Sequence, residues 1–126
     1  MSLKPTDSEL EILQYLWQKS PGTVREINDS LNKRREVGYT TTLKLMQIMH
    51  EKGLLTRTRS GKTHLYEPAV RKDATQKALL NRFLENTFSG SATNLVLQAL
   101  GNHSTSPEEI EKIRAYLDQI ENGQSL

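Results

Sequence analysis

Cysteine is absent from this 126-residue sequence, which excludes disulfides, thiol catalysis and thiolate metal sites. Histidine is scarce: His50, His64 and His103 stand apart, without the close spacing of a zinc site. Apolar runs extend only a few residues, so neither a signal peptide nor a membrane span is expected, and the expected location is cytoplasmic. Glycine and proline are few, at 7 and 4, and 35% of residues are hydrophobic, which argues against fibrous and disordered classes. The motifs of enzymes are missing as well. There is no glycine-rich phosphate loop, no nucleophile elbow and no carboxylate pair set against an apolar pocket. Ser60-Gly61-Lys62 resembles the end of a phosphate loop but lacks its upstream glycine, and Glu108, Glu109 and Glu111 suit a helix N-terminus. No catalytic residue, metal or cofactor is expected.

The length accommodates one ordinary domain, or a small one with an appended oligomerisation segment. The net charge is only +2, but its distribution is uneven. Between Lys33 and Lys62, the bases Lys33, Arg34, Arg35, Lys44, Lys52, Arg57, Arg59 and Lys62 face only Glu36 and Glu51. From Arg71 onward, acids slightly outnumber bases. A basic patch confined to one segment is the footprint of a polyanion partner, and a solvated charged face is the plainer alternative.

Periodicity orders the first half. Thr6 with Glu9 forms a capping box ahead of the apolar series Leu10, Ile12, Leu13, Leu16 and Trp17, and Ser20-Pro21-Gly22 ends that helix. Thr23 with Glu26 caps a second helix through Val24, Ile27 and Leu31, fading near Lys33-Arg34-Arg35. A third helix starts around Thr40, buries Leu43, Met46 or Leu45, and Met49, and stops at Gly53 as a C-terminal cap. Two short β runs follow, Leu54 to Arg59 and Thr63 to Glu67, joined by the basic tip Ser60-Gly61-Lys62 and closed by Pro68. Three helices and a cationic hairpin have the shape of a winged helix-turn-helix, in which the third helix enters the major groove and the wing follows the phosphates.

On that reading the candidate base contacts are Thr40, Thr41, Thr42, Lys44 and Gln47. Threonine hydrogen-bonds a base or touches a thymine methyl, lysine reaches guanine or phosphate, and glutamine pairs with adenine. At least one of the threonines is expected to be structural, Thr40 as a helix cap being the obvious case. Arg57, Arg59, Lys62 and His64 on the wing are candidate phosphate contacts, with minor-groove insertion by one arginine the lesser alternative. Lys33, Arg34 and Arg35 are candidate backbone clamps, and Tyr39 either bonds a phosphate or packs on the preceding helix.

Beyond Pro68 the pattern is helical from Lys72 through Ala78, Leu79, Phe83 and Leu84, with a break near Ser89-Gly90. Leu95, Val96, Leu97, Ala99 and Leu100 form an apolar segment, and Ser106-Pro107 opens a last helix carrying Ile110, Ile113, Leu117 and Ile120. Three short helices cannot bury this much apolar surface alone, whereas a symmetric dimer buries it, and folding back on the first domain is the alternative. The expected fold is therefore mainly α: a winged helix DNA-binding domain over residues 1–70, and a helical dimerisation domain over 71–126.

In order and spacing the chain resembles BlaI/MecI-type (penicillinase repressor) transcriptional regulators over nearly its whole length. The resemblance rests on Ser8-Glu9-Leu10-Glu11-Ile12-Leu13 with Trp17, Val24-Arg25-Glu26-Ile27, Tyr39-Thr40-Thr41-Thr42-Leu43, Lys52-Gly53-Leu54-Leu55 and His64-Leu65-Tyr66-Glu67-Pro68. It continues through Asn81-Arg82-Phe83 and Pro107-Glu108-Glu109-Ile110. It implies a homodimer that represses a promoter by binding a palindromic operator on double-stranded DNA. It also implies a membrane sensor with a metalloprotease domain as partner, signalling through which leads to cleavage of the repressor in its dimerisation region. Where β-lactam-responsive members carry an Asn-Phe cleavage bond, this chain has Gln98-Ala99, so a different protease specificity is implied and antibiotic resistance is in doubt as the output. The Cys-rich motif of copper-responsive relatives has no counterpart here. The competing expectation, from another functional class, is a winged-helix protein-interaction module without specific DNA binding.

Overall fold

A computed structural model of the chain describes residues 4–123. Its elements run α1 (Asp7–Gln18), α2 (Val24–Leu31), α3 (Tyr39–Glu51), β1 (Leu55–Ser60), β2 (Thr63–Pro68), α4 (Lys72–Phe88), α5 (Ala92–Asn102) and α6 (Pro107–Glu121). Two compact units divide the chain, Met1–Leu80 and Asn81–Leu126, and the division falls within α4.

In the first unit both expected capping boxes form. The Thr6 and Thr23 hydroxyls accept from the Glu9 and Glu26 amides, and each glutamate returns a bond to its cap residue's N–H. This satisfies otherwise orphaned donors at both helix starts. The start of α3 differs from expectation. Its cap is Gly38, which makes no side-chain cap bond, and Thr40 lies inside the first turn. Helix α3 ends as expected at Gly53 (φ 84°), where the Leu54 amide donates to Met49 O and the Gly53 amide to His50 O. Those two bonds make a Schellman motif, which needs a left-handed residue where glycine is the easiest choice.

The core of this unit is built from Ile12, Leu13 and Leu16 of α1, Val24, Ile27 and Leu31 of α2, and Met46 and Met49 of α3, closed by Leu54, Leu55 and Tyr66. Leu10, expected on the apolar stripe of α1, is only half-buried, and Ile12 takes the central place. Trp17 packs at the margin and donates its indole N–H to Val70 O at 3.0 Å, which ties the chain leaving the wing to α1.

Strands β1 and β2 pair antiparallel from Leu55↔Pro68 to Ser60↔Thr63, leaving Gly61 and Lys62 as a two-residue turn. Gly61 sits at φ 63° while Lys62 does not share the positive region, the pattern of a type II′ hairpin turn. Gly22 adds a third, single-residue edge to the wing by exchanging both backbone bonds with Tyr66, at 3.0 and 2.8 Å. A Cβ at Gly22 would meet Leu16 Cδ2 at 3.0 Å, so the close approach favours glycine here.

In the second unit, the left-handed pair Ser89 and Gly90 separates α4 from α5. Ser91 caps α5, and Ser106 with Glu109 forms a third capping box ahead of Pro107. No side chain in α4, α5 or α6 is buried.

Candidate nucleic-acid interface

Helix α3 has two distinct faces. Thr42, Met46 and Met49 point into the core, at the three- and four-residue spacing of one helical stripe. Thr40, Thr41, Lys44, Gln47 and Ile48 are exposed on the remaining surface. Among the described residues Lys44 makes no ion pair, so its ammonium is available to an incoming acceptor. Ile48 is 37% exposed beside this polar stripe and adds an apolar contact that periodicity alone had left indistinct from the core positions.

Thr42 requires a correction. Expected among the base contacts, it is fully buried, its hydroxyl accepting from Asn28 Nδ2 at 2.8 Å and donating to Gly38 O at 3.4 Å. Asn28 also donates to Val37 O, so one amide ties the middle of α2 to the loop and start of α3. The structural threonine is thus Thr42 rather than Thr40. An asparagine on α2 gave no signal for this, because the pairing bridges 14 residues of sequence.

The basic segment is also thinned by internal pairing. Lys52 Nζ lies 2.7 Å from Glu9 Oε1, and Glu9 is only 2% exposed. Burial alone raises the Glu9 carboxyl's pKa, but bonds from Lys52 and the Thr6 N–H, with the lysine charge, outweigh it and leave the pKa below its usual value. Arg35 Nη1 sits 2.7 and 2.8 Å from the two Glu11 carboxylate oxygens, and Arg34 lies 3.9 Å from the same group. Lys52 therefore serves the fold, and Arg34 and Arg35, expected as backbone clamps, are turned toward α1. Lys33 is exposed and has no such partner among the described residues.

On the wing, pairing places Arg57 opposite Tyr66 and Arg59 opposite His64, so these four side chains share one face of the hairpin. Arg59 Nε donates to Gly61 O at 3.1 Å and braces the tip, and Lys62 projects from the turn unpaired among the described residues. The His64 ring meets Tyr66 edge-on at 6.3 Å. A cleft of about 490 Å³ lies between the start of α2, the start of α3 and the wing tip, lined by Thr23, Arg25, Tyr39, Leu43, Lys62 and His64 among others. Arg25 carries no periodic or charge-run signal, yet its guanidinium stands 5.4 Å over the Tyr39 ring. Tyr39 therefore stacks with the preceding helix, and 44% of its surface stays accessible.

The second unit has a different surface. A groove of about 510 Å³ between α5 and α6 is walled almost wholly by apolar side chains, among them Leu95, Val96, Leu100, Ile113 and Leu117. Among the described large apolar residues Leu97 is the most exposed, at 63%, and Gln98 and Ala99 are exposed beside it. Phe83 is half exposed and packs edge-on against Phe88 at 5.6 Å, while Leu79 and Ile110 are half-buried. Among the described residues no three His, Asp or Glu side chains cluster to hold a metal ion, and no helix is long and apolar enough to cross a membrane.

Three packed helices, a hairpin wing and an outward-facing third helix define a winged helix-turn-helix protein. The penicillinase repressor family profile matches residues 5–119, and the chain belongs to that family. It is 26% identical over 119 residues to the transcriptional regulator BlaI of Mycobacterium tuberculosis, covering 93% of this chain and 85% of that protein. Identity to the penicillinase repressor of Bacillus licheniformis is 25% over 117 residues, covering 93% and 91% respectively. Among solved structures, the transcriptional repressor CouR bound to a 23-mer DNA duplex matches with a TM-score of 0.53 at 16% identity, covering 94% of this chain and 75% of that one, a likeness of fold.

Proposed function

We propose that this protein is a cytoplasmic, dimeric transcriptional repressor that binds a palindromic operator. Each protomer lays α3 in a major groove and its wing along the adjacent phosphates, with the winged domain reading DNA and the helical region holding the protomers together. The observation that carries this reading is the two-faced α3: one side sealed by Thr42, Met46 and Met49, the other presenting Thr40, Thr41, Lys44 and Gln47 to solvent. Those types suit base edges, and Lys33, Arg57, Arg59, Lys62 and His64 suit phosphates, which set register without selecting sequence. Family membership supports repression as the output.

The apolar groove of α5 and α6 supports dimerisation, since a symmetric partner covers it. The proposed release acts on the same surface. Ala99 lines the groove and Gln98 precedes it in the chain, so a cut there by a sensor-linked metalloprotease divides the pairing surface.

A gel-shift titration against DNA upstream of the protein's own gene, with salt varied and random duplex as competitor, tests the reading. A saturable shift that resists competitor is expected. Equal loss on both DNAs would reduce the protein to a non-specific cation, and no shift at low salt would favour an interaction module instead.

A further inference from the structure

We infer that Arg25 and Lys62 form a phosphate clasp across the cleft between α2, α3 and the wing, with Tyr39 as the positioning residue for Arg25; this rests on the DNA-binding reading above. Three observations converge. The cleft is lined by Arg25, Lys62 and His64 and by no acidic side chain, so its charge complements an anion. The Glu26 carboxylate close by in sequence is engaged with the Thr23 N–H and does not line the cleft. Arg25 makes no ion pair among the described residues, in contrast to Arg35, which pairs with Glu11 at 2.7 Å.

The third observation is the stacking. With its guanidinium carbon 5.4 Å over the Tyr39 ring, Arg25 makes a cation–π contact. The ring takes no hydrogen bond from the guanidinium N–H groups in the plane, and Arg25 has no ion pair among the described residues, so these donors can fork onto phosphate oxygens. Preorganisation by the ring lowers the side-chain entropy lost on binding. Lys62 approaches from the opposite wall, on a turn that Arg59 braces through Gly61 O. A backbone phosphate entering beside the start of α3 therefore meets one cation from the helix-turn-helix and one from the wing, which fixes the tilt of α3 toward the groove.

The test measures binding of the full chain to its own upstream duplex and to a random duplex across a salt series. Arg25→Met keeps the aliphatic stem over Tyr39 and removes the charge. Affinity for both duplexes should fall roughly tenfold, with the log–log salt slope reduced by about one unit. Lys62→Met should lower the slope by a similar amount. Tyr39→Phe, which keeps the ring under Arg25, should lose less affinity than Tyr39→Leu, which should weaken binding a few-fold. Thermal unfolding verifies each fold, and Arg25→Lys, which retains the charge but not the fork, should keep the slope while losing part of the affinity. Wild-type affinity and slope in Arg25→Met would overturn the clasp while leaving the repressor reading intact. Equal losses in Tyr39→Phe and Tyr39→Leu would show that the hydroxyl matters, overturning the positioning role. A wild-type protein that binds neither duplex would remove both ideas together.

Discussion

The two units solve the burial problem differently. The first closes a core from three helices and a wing, with Ile12, Leu13, Leu16, Ile27, Met46 and Met49 wholly inaccessible. The second buries no side chain in any of its helices and leaves Val96, Leu97, Leu117 and Ile120 open to solvent. The first unit has a closed core of its own, and the helices of the second have no fully buried side chain. Apolar surface contributes about 25 cal/mol per Å² when removed from water, so helices whose apolar side chains are at most half-buried lack much of their usual source of stability. On the proposed reading, the open apolar surface and the DNA-reading helix lie in different units, so association and DNA reading can be varied separately.

The sharpest way to break that contrast is to put charge into the groove. Val96→Asp with Leu117→Asp should convert a dimer to a monomer by sedimentation and lower operator affinity by about 10²–10⁴-fold through lost bivalency. Unfolding of the winged unit should be little changed. A double variant that sediments and binds like wild type would refute the dimer surface. Ile27→Ala is the counterpart in the first unit. It should lower stability by about 2–5 kcal/mol, independently of protein concentration, because the cavity lies within one chain. In Leu117→Ala the loss should instead diminish as protein concentration rises, read from thermal melts at several concentrations.

Most of the first unit was legible in the sequence because its signals are local. Capping boxes at Thr6-Glu9 and Thr23-Glu26, the glycine stop at Gly53 and the basic turn all act within a few residues. Long-range pairings were not legible. The Glu9–Lys52 contact bridges 43 residues and Asn28–Thr42 bridges 14, and no periodicity marks either. Lys52 pairs with Glu9, and Arg35 and more loosely Arg34 with Glu11, across helices, which charge counting within the segment does not see. Arg25 escaped notice because a lone cation on a short helix looks like any solvated residue until the ring beneath it is located. In the second unit apolar spacing marked the helices, but periodicity cannot say what covers them.

Lys52 sharpens the contrast from the first unit's side, since its charge belongs to the fold. Lys52→Met leaves the Glu9 carboxylate buried without its ammonium partner, keeping the bond from the Thr6 N–H, at a cost of about 2 kcal/mol near neutral pH. The pH dependence has a definite sign. The folded Glu9 pKa is depressed, so its contribution is present above the unfolded pKa of about 4.5 and is lost as pH falls through the folded value. The difference between wild type and variant should therefore shrink in acid, because a protonated Glu9 no longer needs the ammonium. Denaturant melts between neutral and acid pH check this. A constant difference across that range would mean that Lys52 contributes through packing of its stem instead.

The smallest expected effect separates the two faces of α3 itself. Thr42→Val retains the shape of the side chain but removes the oxygen that accepts from Asn28, whose amide still donates to Val37 O at 3.0 Å. The loss should be about 1 kcal/mol, because one buried donor is left partly unsatisfied while the helix packing stays filled. Base preference at the operator should not move, since no atom of Thr42 reaches solvent. Thr41→Ala should do the reverse, with stability nearly unchanged and discrimination relaxed at one position of each half-site. Denaturant melts paired with binding to a set of single-base operator variants read both quantities. A Thr42→Val protein of wild-type stability but altered base preference would invert the two faces and move the reading surface of α3 to the side now assigned to the core.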